Sequence, residues 1–237
     1  MQQAHFRWAS VWALAPRLFF VGVAQPEYGL NTFDENWFSA KKAAATLAAA
    51  ELAPPEGDCI EIGCWEGRST VLLANALYPR TVHVVDHFEG DPTDPGSVLT
   101  AKARERDVRA TFVSNMESLT RGNYVLHVMG WREFFETYTG QIGFIHIDGE
   151  HTYRQVRDNI LAAAAHLVPG GVMCGDDYST KAVRRAVRKT LGDVPHTNAT
   201  WWWQAPPSRW YSRIRSAPRI SRGRWRRRRA KGPRRAP

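Results

Sequence analysis

"EIGCWEGRST" occupies residues 61–70 and joins an apolar run, "DCIEIG" (58–63), to a run of helix formers, "STVLLANALY" (69–78). The first reads as a buried strand and the second as a helix, with Ser69 or Thr70 expected at its cap. Gly63 and Gly67 permit close backbone approach between them, and the helix N-terminus offers free N–H groups to an anion. The spacing E-x-G-x-x-x-G is neither the G-x-G-x-x-G of dinucleotide folds nor the G-x-x-x-x-G-K of a phosphate loop, which disfavours a dinucleotide enzyme. Asp86 closes the next apolar run, "TVHVVD" (81–86), where an acid accepts hydrogen bonds from two ribose hydroxyls.

The same rhythm extends in both directions. Upstream, "FSAKKAAATLAAAEL" (38–52) is a helix stopped by Pro54-Pro55. Downstream, a polar loop (89–97) leads into one helical stretch ending near Met116, followed by a strand at 124–130 and a short helix, "WREFFETY". A strand at 142–148 and a helix at 153–168 precede Pro169-Gly170-Gly171, after which come a strand at 171–177 and a helix at 180–192. "ATWWWQ" (199–204) ends the pattern as a strand, and alternation puts Trp201 and Trp203 on one face and Trp202 on the other. Apolar strands alternating with helices imply an α/β fold with a parallel sheet covered on both faces. Right-handed crossovers gather the strand-to-helix turns on one edge, where ligands of such folds bind.

The net charge of +9 is unevenly distributed. Residues 206–237 hold thirteen of the 32 basic residues and none of the 23 acidic ones, so the remainder carries −4. Only this Arg-rich tail, expected to be disordered, reads as a nonspecific anionic contact, to nucleic acid or a membrane surface. Cys59, Cys64 and Cys174 lack metal or disulfide spacing and read as reduced, buried thiols of a cytoplasmic protein. The apolar stretch 11–24 is broken by Pro16 and Arg17, too short for a transmembrane segment and poor as a signal peptide. Residues 1–37 are read as an extension packing on the domain.

Two strands end in carboxylates: "FIHID" at Asp148, and "GVMCGDD" at Asp176 and Asp177. Carboxylates that converge without a cation repel, so the pattern points to something positive between them. The same residues also serve as loop caps in many proteins.

An acid opening the glycine turn suits a ligand that carries a cation. Here the sequence resembles motif I of the class I S-adenosylmethionine (SAM) methyltransferases. The resemblance implies a Rossmann-like, doubly wound, mostly parallel seven-stranded sheet over residues 38–205. It aligns Glu61, Gly63 and Gly67 with the cofactor turn, Ser69 with the helix start and Asp86 with the ribose. "VDHFEGD", "GWREFFETYTGQIGFIHIDGEHTY" and "LVPGGVMCGDDY" further resemble the metal-dependent O-methyltransferases of sugars in natural products. In that subgroup carboxylates at the positions of Asp148, Asp176 and Asp177 hold a metal, for which Mg²⁺ is the expected ion. The catalytic base is the acid two residues after the first ligand or the histidine three after it, and this chain has both, Glu150 and His151. Histidine titrates nearer neutrality and is the favoured one; as an alternative, His151 caps the following helix. Trp131 lines the adenine pocket or belongs to the core, and Tyr153 packs.

The expected activity is therefore Mg²⁺-assisted, SAM-dependent methylation of a small-molecule or sugar hydroxyl. One alternative is a nucleic-acid methyltransferase using the tail, although the body has neither a D/N-P-P-Y/F motif nor a Pro-Cys nucleophile. The other is a noncatalytic binding module. Self-association into a homo-oligomer is left open.

Overall fold

The computed structural model describes residues 33–91, 96–197 and 199–206. The Arg-rich tail and residues 1–32 of the N-terminal extension lie outside them.

Helix α1 (Ala40–Glu51) begins at Ser39, whose hydroxyl accepts from the Lys42 amide. Strand β1 (Asp58–Ile62) then feeds α2 (Arg68–Leu77), and β2 (Val82–Asp86) follows. The N-cap of α2 is Gly67, with φ +89°, rather than Ser69 or Thr70. Both are buried inside the first turn, and the Thr70 hydroxyl donates to Glu61 instead.

The single helical stretch expected to end near Met116 is two helices, α3 (Val98–Glu105) and α4 (Val108–Leu119). Arg106 is extended between them and pairs with Asp34 and Glu66, at 2.7 and 2.5 Å, while the Asp107 carboxylate caps α4. Next come β3 (Tyr124–Val128), α5 (Trp131–Thr137), β4 (Ile142–Ile147) and α6 (Tyr153–Ala164). The last elements are β5 (Leu167–Gly175), α7 (Lys181–Leu191), β6 (His196–Thr197) and β7 (Thr200–Gln204).

Pro169-Gly170-Gly171 does not precede β5 but lies within it. The register jumps from Ile142↔Leu167 to Phe144↔Val172, so the Pro-Gly-Gly segment bulges out of a strand that continues on both sides.

The seven strands run in the order β3-β2-β1-β4-β5-β7-β6, with β7 antiparallel to both β5 and β6 and the other pairings parallel. Strand alternation sorts the core into two layers. Ile60, Ile62, Ile145 and Ile147 face α5, α6 and α7, whereas Cys59, Val84 and Phe144 face α1, α2 and α4. Trp201 and Trp203 join the first layer and Trp202 the second, as alternation requires. Strand order reverses between β1 and β4, which opens a crevice at their carboxyl ends. The three cysteines are buried and free. Among the described residues no helix is long and apolar enough to cross a membrane.

Candidate active site

A cavity of about 650 Å³ occupies that crevice. Its floor is the β1 turn, Ile62 to Glu66, with Asp86 and His87 beyond β2 on one side and Asp148 to His151 with Asp177 on the other. Residues 33–38 form a wall through Phe33, Glu35, Trp37 and Phe38. Arg68 anchors this strap by donating to the Glu35 carbonyl at 2.9 Å, and Lys102 pairs with the Glu35 carboxylate.

Gly63 is required by two facts at once. Its φ is +81°, and a Cβ there would stand 2.3 Å from the Asp148 carbonyl oxygen. The β1 and β4 ends therefore touch backbone to backbone. Gly67 likewise has no room, since a Cβ would meet Phe112 at 2.9 Å.

The acids of the turn behave differently from the expectation. Glu61 is fully buried and does not line the cavity; its carboxylate accepts from Thr70 and lies 3.0 Å from His146 Nδ1, its neighbour across β4. The reason is alternation: Glu61 points into the α2 layer, away from the open edge. Burial works against a charged His146, but the Glu61 carboxylate outweighs it and raises the imidazole pKa. Ser69 is buried and also absent from the lining.

Asp86 does line the cavity, with its oxygens already accepting from the amides of Cys64 (2.8 Å), Trp65 (3.0 Å) and Phe88 (2.7 Å). A carboxylate has about four lone-pair sites, so Asp86 braces the turn and has room for roughly one further hydroxyl. Trp65 beside it has φ +51° and a buried Nε1 without a partner among the described residues, a donor that a ligand can satisfy. These features fit a nucleoside cofactor along the turn.

The acidic edge is more crowded. One ligand atom each of Asp148, His151 and Asp177 lies within 4.8 Å of the others. Asp177 has a left-handed backbone, φ +56°. The expected trio is thus not the converging one, because Asp176 turns to Lys42 Nζ at 2.5 Å and Thr200 Oγ1 at 3.4 Å. Lys42 Nζ also stands 3.6 Å from Asp177, and His151 Nε2 2.6 Å from its other oxygen.

Burial, then the Asp176 charge, pushes the Asp148 carboxyl up to about 7. The hydrogen bond with His151 lowers Asp177, and the same bond raises His151. Two carboxylates with space for water and acceptor oxygens suit Mg²⁺, and the imidazole beside them extends the fit to Mn²⁺. Glu150 accepts from Trp131 Nε1 at 2.5 Å, so Trp131, buried in the core yet lining the cavity, also orients this acid. Tyr153 packs under the Arg185 guanidinium, 5.0 Å from its ring centre.

Sequence reasoning missed Lys42 and His146. Nothing in an Ala-rich helix 134 residues before Asp176 signals that its lysine meets the aspartates that follow β5. His146 carried a signal, a polar residue inside an apolar strand two residues before Asp148.

Residues 60–178 match the family model described as a methyltransferase domain. A curated relative from Streptomyces olivaceus, 8-demethyl-8-(2,3-dimethoxy-alpha-L-rhamnosyl)-tetracenomycin-C 4'-O-methyltransferase, is 31% identical over 157 residues. That alignment covers 57% of this chain and 58% of the relative. Among solved structures, the O-methyltransferase NovP superposes with a TM-score of 0.52 at 20% identity, covering 70% of this chain and 80% of that one. The cofactor-bound structure of Rv0187 from MTB gives 0.52 at 16% identity, covering 76% and 86%. At these identities the two structures speak for the fold.

Proposed function

Because the chain belongs to the methyltransferase domain family, we propose that it methylates a hydroxyl of a small molecule or sugar, using SAM and a divalent metal ion, Mg²⁺ foremost. The observation that carries this reading is the gathering of Asp148, Asp177 and His151 in the cavity that the β1 turn floors. The rhamnosyl 4'-O specificity in the relative's name supports a sugar hydroxyl as acceptor.

SAM, bound along the turn, supplies an electrophilic methyl group on a sulfonium. Gly63 lets the main chain approach it, and Asp86 accepts from a ribose hydroxyl with its remaining lone pair. The metal ion supplies a lowered pKa and a fixed direction for the acceptor hydroxyl. Asp148 and Asp177 would hold that ion through their carboxylate groups. His151 takes the proton the hydroxyl loses, and its pairing with Asp177 keeps the imidazole aimed at the cavity. Glu150, held by Trp131, is the alternative base. Phe33, Trp37 and Phe38 exclude water from the wall side. Transfer of this kind depends chiefly on in-line placement, which a rigid turn beside a rigid strand end provides.

The test is calorimetric titration of SAM, S-adenosylhomocysteine and Mg²⁺ into the full chain, with turnover assayed on rhamnosylated acceptors. Roughly micromolar SAM binding and a separate Mg²⁺ isotherm are expected. In Asp148→Ala, turnover and the Mg²⁺ isotherm disappear while the SAM affinity stays within a few-fold. An Asp148→Ala variant that keeps its Mg²⁺-dependent turnover overturns the metal assignment, and absence of nucleoside binding overturns the whole reading.

A further inference from the structure

Lys42 is placed against the electrostatic grain of its own helix. It sits in the first turn of α1, after Lys41 and with no acidic residue in that turn, where the macrodipole disfavours positive charge. Its side chain is only 18% exposed, and its ammonium is spent on the far end of β5: 2.5 Å from Asp176 and 3.6 Å from Asp177. Asp176 itself is 3% exposed, and beyond Lys42 its side chain meets the Thr200 hydroxyl, at a long 3.4 Å. A carboxylate so buried needs a cation, and the chain brings one from a distant helix.

We infer that Lys42 is a positioning residue: its ammonium is the resident counter-ion of Asp176 and competes with a divalent ion for that carboxylate. The inference rests on the metal-assisted reading for the identity of the competing ion. While Lys42 holds Asp176, the ion has Asp148 and Asp177, with His151 beside them, and Asp176 stays outside its reach. Two carboxylates instead of three make a weaker and more readily exchanged site. The ammonium also offsets part of the negative charge when no ion is bound. Lys42 thereby sets how tightly the acidic edge holds its metal, from a helix that lies outside the matched family segment of residues 60–178.

A thermodynamic cycle in ion affinity tests this. Mn²⁺ alone is titrated into the full chain as wild type, Lys42→Met, Asp176→Asn and the double variant. Methionine keeps the length and helix propensity of lysine without its charge; Lys42→Gln serves if Lys42→Met does not fold. Lys42→Met is expected to bind Mn²⁺ at least about tenfold more tightly, which is about 1.4 kcal/mol. Asp176→Asn alone is expected to change affinity less than about threefold, and in the Lys42→Met background to abolish the gain. Mn²⁺ should also raise the melting temperature of Lys42→Met more than that of wild type.

Equal affinity in wild type and Lys42→Met overturns the inference and leaves the metal-assisted reading standing. Weaker binding in Lys42→Met overturns it too, since lysine would then be supporting the ion. Binding seen only in Lys42→Met supports the competition while removing the metal from the native reaction. Binding in neither overturns both.

Discussion

Two groups of acid lie toward the carboxyl ends of the central strands, one fully buried and one facing the cavity, and they are completed in opposite ways. Glu61 on β1 finds its partners inside the sheet and its nearest helix, His146 across the ladder and Thr70 one turn into α2. Asp176 and Asp177 draw their ion-pair partners from outside the sheet, Lys42 from α1 and His151 from the loop after β4. A saturated acid is architecture. On the proposed reading, an acidic cluster facing the cavity is a place for a cation to arrive. The contrast reassigns Glu61 from ligand contact to scaffold, although its position in the turn is the one expected of a cofactor residue.

The strongest way to break this contrast is Glu61→Leu. Removing one member of a buried pair strands His146 and Thr70, so a loss of about 3–5 kcal/mol in stability is expected by chemical denaturation. A variant of unchanged stability that no longer binds SAM would return Glu61 to the ligand role. Next in size is the choice of base. His151→Gln is expected to lower kcat about 100-fold in single-turnover assays, and Glu150→Gln less than about tenfold. The reverse order would make the acid held by Trp131 the base.

The smallest effect sharpens the comparison by pH. The raised Asp148 carboxyl favours the protonated native state, with burial as the first cause and the Asp176 charge as the next. Its contribution is full below the ordinary carboxylate value near 4 and is lost as pH rises through about 7. Asp148→Asn, which cannot ionise, should therefore melt roughly 2–4 °C higher than wild type at pH 8 without divalent ions, equivalent to about 1 kcal/mol in a chain of this size. The difference should close as pH falls toward about 4. A constant offset at all pH values would mean that the amide merely packs better.

The sheet was legible because each central strand is an apolar run bounded by a turn, and because Asp86 and Asp148 fall at strand ends whichever way the helices are drawn. The details that escaped are those decided by tertiary partners. Pro169-Gly170-Gly171 has the local signature of a stop, yet β4 and β7 flank it and carry the strand through as a bulge. Arg106 has helix propensity, but two acids, Asp34 and Glu66, pull it out of the helix. Strand β6, two residues long, has no pattern to read and exists by pairing with β7. At the site, sequence gave the carboxylates without their orientation. Asp177 has a left-handed backbone, and no propensity scale assigns φ +56° to the second of two aspartates.

The contact at Gly63 has a consequence for how acceptors can change. With its Cα face pressed on the Asp148 carbonyl, the interval between the two strand ends is a main-chain dimension, a ruler that no side-chain exchange lengthens. The strap at 33–38 is free of that constraint. On the proposed reading, acceptor preference can therefore be rewritten in the strap while the transfer distance stays fixed, which makes it the place to graft new specificity and Gly63 the place to leave alone.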